Sequence, residues 1–182
     1  MLKIYFAGPI SGESGDRVFA YYDQVKERFK GRAVVLTPMI GKGQLRFEQN
    51  YAPQGYTCPT ATDHAIAERD KWMTSKMADV VFANLMDTSR VSIGTIAELA
   101  WASGAGVHTI VAMAAGDVHE HAFVVEMADI RYWTEEDALV YLEELCDAFI
   151  ERPEEQDLDT LDGVLEMPQW LPCIKRYEEL DE

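Results

Sequence analysis

The sequence alternates between short apolar runs and longer stretches with helical spacing, and this alternation limits the fold more than any other feature. The runs are "LKIYFAG" (2–8), "RAVVLTP" (32–38), "ADVVFANL" (78–85), "VHTIVAM" (107–113) and a shorter one near Ile130–Trp133. Apolar runs of this length, with no polar residue at every second place, read as strands buried on both faces. Between them, apolar residues recur at steps of three and four. Val18, Tyr21, Tyr22, Val25 and Phe29 mark a helix over 17–30, with Asp16 as its expected N-cap. Further helices are expected over 63–77, 94–104 and 119–128. A separate final helix, "TEEDALVYLEELCDAFIE", starts at a capping Thr134 and places Leu139, Leu142, Leu145 and Phe149 on one face.

Parallel neighbours need a crossover, and a helix between successive strands supplies one. The expectation is therefore an α/β protein: a flavodoxin-like, doubly wound, five-stranded parallel sheet in the order 2-1-3-4-5, with helices on both faces. In such sheets ligands bind beyond the carboxyl ends of the strands, where the strand order reverses. Here that point lies between the first and third strands, so the loops after Gly8 and after Leu85 should frame it.

The chain has 182 residues, which fits one domain over 1–150 and an acidic C-terminal extension over 151–182. Net charge is −16, and the extension holds eleven acids and three bases, so it carries half of that charge. Such a surface repels a phosphate backbone, and duplex nucleic acid is not an expected partner. No apolar run approaches the roughly 18 residues that a membrane span needs. The first residues enter a strand pattern at once, so no leader is expected. Cys58, Cys146 and Cys173 are far apart and form no paired motif, so neither a disulfide framework nor a metal site is implied. A cytoplasmic location follows as the default, with no cofactor.

Several residues stand out for chemistry. The loop "AGPISGESGD" joins a strand to a helix, so it is either a plain tight turn or a backbone cradle for an anion; it is neither a Walker A loop nor GxGxxG. Glu98 interrupts the apolar stretch "IAELAWA". Thr95-Ile-Ala-Glu98 matches a capping box, in which the glutamate folds back onto its own helix end. The other reading keeps Glu98 near the start of a helix that begins at the switch point, aimed at a ligand. Asp70 shares a helical stripe with Ile66, Met73 and Met77, so it is either salt-bridged in place or directed into a cleft. Two carboxyl groups at one sheet edge suit glycosyl transfer: one attacks the anomeric carbon and the other moves a proton on the leaving group. "HEH" (119–121) sets His119 and His121 two apart, on different faces of a helix, with no cysteine to complete a metal set. His64 reads as a surface or packing residue. The segment 39–61, rich in Gly, Pro, Tyr and Gln, has no period and reads as a long functional loop.

Taken together, "IYFAGPISG", "AERDKWMTSKMADVVFANL" and "RVSIGTIAELAWASG" resemble the nucleoside 2-deoxyribosyltransferase family, with weaker similarity through "GDVHEHAFV". The resemblance spans about residues 3–130. It implies cleavage of the bond between a nucleobase and 2-deoxyribose. By motif, Glu98 would be the nucleophile that forms a deoxyribosyl-enzyme intermediate, Tyr5 would hold its carboxylate, and Asp70 would be the acid/base for the nucleobase. Gly8, Pro9, Ile10, Ser11, Ser92 and Gly94 would bind substrate. The family completes its site across a subunit interface, so a homo-oligomer is implied, with His121 and Phe123 as the residues contributed. The implied partners are a small nucleoside or nucleotide and a free nucleobase.

The pattern departs from the family in three places. Asp70 and Asp79 are nine apart where eight is usual, so a bulge or a shifted helix end has to absorb one residue. Ser92 stands where the transferases often have Asp, and so resembles the branch that hydrolyses nucleoside 5′-monophosphates. The first loop nevertheless lacks that branch's Ser and Arg, and Pro9 removes a backbone donor. Deoxyribosyl transfer between bases is the leading expectation. Hydrolysis of a (deoxy)nucleoside 5′-monophosphate is the second, and a non-catalytic nucleotide sensor is the third.

Overall fold

The computed structural model describes residues 1–86 and 88–150, so the expected acidic extension and Cys173 lie outside the described residues. Five strands form the sheet: β1 (Leu2–Ala7), β2 (Ala33–Leu36), β3 (Val80–Asn84), β4 (His108–Ala112) and β5 (Ile130–Tyr132). They run in the order β2-β1-β3-β4-β5, and every pairing is parallel. Both the α/β class and the strand order are as expected.

Successive side chains on a strand point to opposite faces, which sorts the core into two layers. Ile4, Phe6, Val80, Phe82 and Ile110 face one side. There they meet Val18, Phe19, Tyr22 and Val25 of α1 (Gly15–Arg28) and Ala138, Leu139 and Leu142 of α5 (Glu135–Ile150). Tyr5, Ala7, Val81, Ala83 and Val111 face the other side, against Leu99 and Ala102 of α3 (Ile93–Gly104) and Val124 of α4 (Ala122–Met127). The sheet is thus covered on both faces. No helix among the described residues is long and apolar enough to cross a membrane.

Element ends differ from expectation in instructive ways. Ser14, not Asp16, caps α1: its Oγ accepts from the Arg17 N–H at 3.4 Å, and Asp16 sits inside the first turn. Gly15, the first residue of the helix, lies against the Arg46 carbonyl, where a Cβ would collide. Thr134 caps α5 as expected, accepting from the Asp137 N–H at 3.1 Å. The buried line of α5 is Ala138, Leu139, Leu142 and Cys146, whereas Phe149 is exposed. Residues 119–121 belong to a turn, not to α4. His64 is exposed on α2 (Asp63–Trp72).

The helix expected over 63–77 is α2 followed by a wider π-type turn over Met73–Met77. The Ala78 N–H reaches back five residues to the Met73 carbonyl, at 2.8 Å. A π turn takes up one residue more than an α turn. It is the bulge that the nine-residue spacing between Asp70 and Asp79 called for, and it delivers β3 in register with β1.

The segment 39–61 has a single short 3₁₀ turn, Gly43–Leu45, yet it is well tied down. The Gly12 N–H donates to the Tyr51 carbonyl at 2.9 Å, and the Tyr51 N–H donates to the Glu13 carbonyl at 2.8 Å. The Gly15 N–H donates to Glu48 at 2.7 Å. Gly12 has φ of 89°, a conformation that glycine alone adopts without strain. These bonds fix the loop after β1 and the long loop to one another, beside the switch point.

Candidate active site

β1 and β3 end side by side, and their following loops diverge to α1 and α3 on opposite faces of the sheet. The gap between the loops opens into a cavity of about 570 Å³. That is within the usual range for small-molecule sites. Gly8, Pro9, Ile10 and Ser11 line it from the β1 loop, and Ser92, Gly94 and Glu98 from α3 and its cap. Asp70 lines it from α2, and Lys42 from the long loop.

Glu98 is 6% exposed, on the inner face of α3. Its carboxylate does not fold back onto Thr95. Instead Tyr5, fully buried in β1, donates its hydroxyl to Glu98 Oε1 at 2.6 Å. The capping box fails because α3 begins two residues before Thr95: Ser92 is the N-cap, and its Oγ pairs with Thr95 Oγ1 at 2.8 Å. Period-2 geometry explains Tyr5's reach. It points to the α3 side of the sheet, while Ile4 and Phe6 point to the other.

Asp70 is also buried, at 4% exposure, and both readings of it hold. Arg69 donates Nε and Nη2 to its Oδ1 at 2.9 and 2.8 Å, and the carboxyl still borders the cavity. Arg69 spends its remaining reach on the carbonyls of Thr60 and Pro38, at 3.1 and 3.2 Å. Burial raises the pKa of Asp70 above the usual carboxylate range, against the pull of Lys42 and Arg69. Burial and then the charge of Asp70 push Glu98 up to about 8, with the Tyr5 hydrogen bond, Lys42 and Arg69 acting the other way. Burial raises the Tyr5 phenol well above its usual value, so it stays a donor.

Lys42 was not legible as a site residue. It is 5% exposed, lines the cavity, and makes no ion pair or side-chain hydrogen bond among the described residues. Burial lowers its pKa, and the charges of Asp70 and Glu98 oppose that shift. Arg90 was also missed. It also lines the cavity, where its Nη2 donates to the Ser11 carbonyl at 3.3 Å and its guanidinium packs over Gly12.

His119 holds the site from behind. It is buried, and its Nδ1 meets Asp117 Oδ1 at 2.6 Å. A carboxylate there calls for the proton on Nδ1, which leaves Nε2 to accept from the Ser92 N–H at 2.8 Å. The cap of α3, and with it the helix carrying Glu98, is anchored by that bond. His121 and Phe123 do not line the cavity. His121 Nδ1 accepts from the Phe123 N–H at 3.2 Å, and Phe123 is 73% exposed. Among the described residues, no cluster of His, Cys, Asp and Glu is placed to hold a metal.

No protein-family model matches the sequence, and a comparison with curated proteins finds no match. Among solved structures, the chain is similar to the CMP N-glycosidase BcmB of Clostridium botulinum. The likeness has 13% sequence identity, covers 79% of this chain and 98% of that one, and has a TM-score of 0.49. At that similarity the chemistry of the site has to be read from its own residues.

Proposed function

We propose that the protein cleaves the N-glycosidic bond of 2′-deoxynucleosides by double displacement at Glu98 and transfers the sugar to a second nucleobase. The observation that carries this reading is the Tyr5–Glu98 hydrogen bond of 2.6 Å at the wall of an open cavity. It supports a carboxylate aimed at a ligand in place of one closing its own helix. Residues 1–150 are taken as the catalytic unit.

In the first step ionised Glu98 attacks C1′ of the sugar. The C1′–N bond breaks, its electron pair goes to the base, and Asp70 supplies a proton to the base nitrogen. The product is a glycosyl ester on Glu98. A sugar without a 2′-hydroxyl tolerates the positive charge that builds at C1′, so one carboxylate suffices to trap it. In the second step the nitrogen of another base attacks C1′, Asp70 takes up its proton, and Glu98 leaves as the carboxylate. Water in place of the base gives hydrolysis.

Hydrolysis of a 5′-monophosphate is the second reading, and Arg90 favours it. A guanidinium in the cavity lining, bonded to the Gly8–Ser11 loop and close in sequence to Ser92, suits a phosphate. Apolar residues at the rim favour a shared site in a homo-oligomer: Val91 and Ile93 are 53% and 80% exposed, and Phe123 is exposed on α4, which packs against α3. In that arrangement His121 and Phe123 would reach a neighbour's cavity.

The test is product analysis by chromatography. The protein is incubated with 2′-deoxynucleosides, with and without a second base, and with the 5′-monophosphates. New nucleosides establish transfer, and base released from monophosphates alone establishes the second reading. Binding without product, or full activity in Glu98→Ala, refutes both.

A further inference from the structure

Two cations accompany the acids, and they are used differently: Arg69 pairs with Asp70 without lining the cavity, and Lys42 lines its wall. Arg69 is committed: its donors go to Asp70 and to two backbone carbonyls. Lys42 is not. Its backbone is pinned by a turn, with its N–H donating to Met39 at 3.1 Å and its carbonyl accepting from Leu45 at 2.9 Å. Met39 and Leu45 are both anchored in the core. Gly41, at φ of 75°, makes the turn possible. The result is a lysine only 5% exposed whose side chain borders the cavity and makes no ion pair or side-chain hydrogen bond among the described residues. A charge is not left in such a place without cost, and a ligand atom that accepts its hydrogen bonds would offset that cost.

We infer that Lys42 reads the nucleobase by donating to a ring carbonyl, so that the site prefers bases bearing a keto oxygen over their amino counterparts. This rests on the glycosyl-transfer reading of the site. The neighbours decide between ligand chemistries. Lys42 shares the cavity wall with Asp70 and Glu98, and a single ammonium beside two carboxyl groups suits one neutral acceptor better than an anion. Asp70 is the proton donor to the base, which puts the base, not the sugar phosphate, on this side. The carbonyl also gains charge during the reaction. As the C1′–N electron pair enters the ring, density moves onto the keto oxygen, and an ammonium there favours the departing base more than the bound substrate. Arg90, the other cation of the lining, already donates to the Ser11 carbonyl.

A charge-assisted hydrogen bond in a dry site corresponds to roughly 10- to 100-fold in affinity. Calorimetry with free uracil, hypoxanthine and adenine should show an oxo-base preference in the wild type. Lys42→Met should lose about that factor for the oxo-bases and leave adenine unchanged, while Lys42→Arg retains part of the preference. Lys42→Gln, neutral but polar, replaces the methionine variant if its melting curve shows that it does not fold. In parallel, the kcat/KM ratio of 2′-deoxyinosine to 2′-deoxyadenosine should collapse toward one in Lys42→Met. Unchanged discrimination, equal weakening for all three bases, or no base binding by the wild type overturns the inference. Discrimination by Lys42 in a protein with no turnover would sink the catalytic reading and leave this one standing. Turnover with Lys42 silent would do the reverse.

Discussion

A buried carboxylate costs stability, and Glu98 shows how large the local compromise is. Its carboxyl keeps its proton up to about 8 in the folded protein, against 4.5 for the free side chain. Between those values the native state binds a proton that the unfolded chain has released, so stability falls as pH rises through that window. Glu98→Gln removes the titration. Its melting temperature should exceed that of the wild type at pH 8, by on the order of 5 °C, and converge with it near pH 5. A wild type that is equally stable across the window would show that the carboxyl is not held in this way. Tyr5 acts in the opposite direction, because its hydrogen bond favours the ionised form. Tyr5→Phe should lower kcat/KM by roughly 10-fold at neutral pH and move the acid limb of its pH profile upward from about 8. A limb that stays in place would separate Tyr5 from the nucleophile.

At the scale of elements, what could be read from sequence was whatever periodicity encodes. The apolar runs gave five strands, and their alternation with helices gave a parallel sheet, its order and the location of the cleft. Glu98 and Asp70 were visible because a carboxylate on an apolar stripe breaks the period. Lys42 was invisible because it lies in a loop of Gly, Pro and polar residues, where a lysine reads as solvated. Only the turn anchored by Met39 and Leu45 turns it inward. His119 was hidden because its role depends on Ser92, which tertiary folding brings to it, while Asp117 two residues before it is a local partner. The π turn after α2 was readable only as a spacing that did not fit. Because it stores one surplus residue, deleting the exposed Lys76 should let 73–76 close as an ordinary α turn. That deletion should cost less than about 2 kcal/mol in denaturant unfolding, whereas deletion of Lys71 within α2 should rotate Asp70 off the cavity and abolish activity. Equal effects of the two deletions would count against the bulge.

The full sequence is strongly acidic, and among the described residues Val91 and Ile93 form an apolar rim at the mouth of the site. Net charge of −16 opposes self-association, so an oligomer has to be held by that rim. Light scattering at physiological salt should find a dimer or larger assembly, and Ile93→Asp with Phe123→Asp should dissociate it. If His121 and Phe123 complete a neighbour's cavity, the dissociated protein should keep its fold and lose activity. A monomeric wild type with full activity would show that one chain makes the whole site.

The account stands on Glu98 as the group that takes the sugar, and mass spectrometry of acid-quenched enzyme tests it most directly. After mixing with a 2′-deoxynucleoside, the peptide containing Glu98 should carry the mass of one deoxyribosyl unit, and the adduct should vanish when a second base is added or when Glu98 is replaced by Ala. Product formed with Glu98 never modified, or an adduct on another residue, would contradict it.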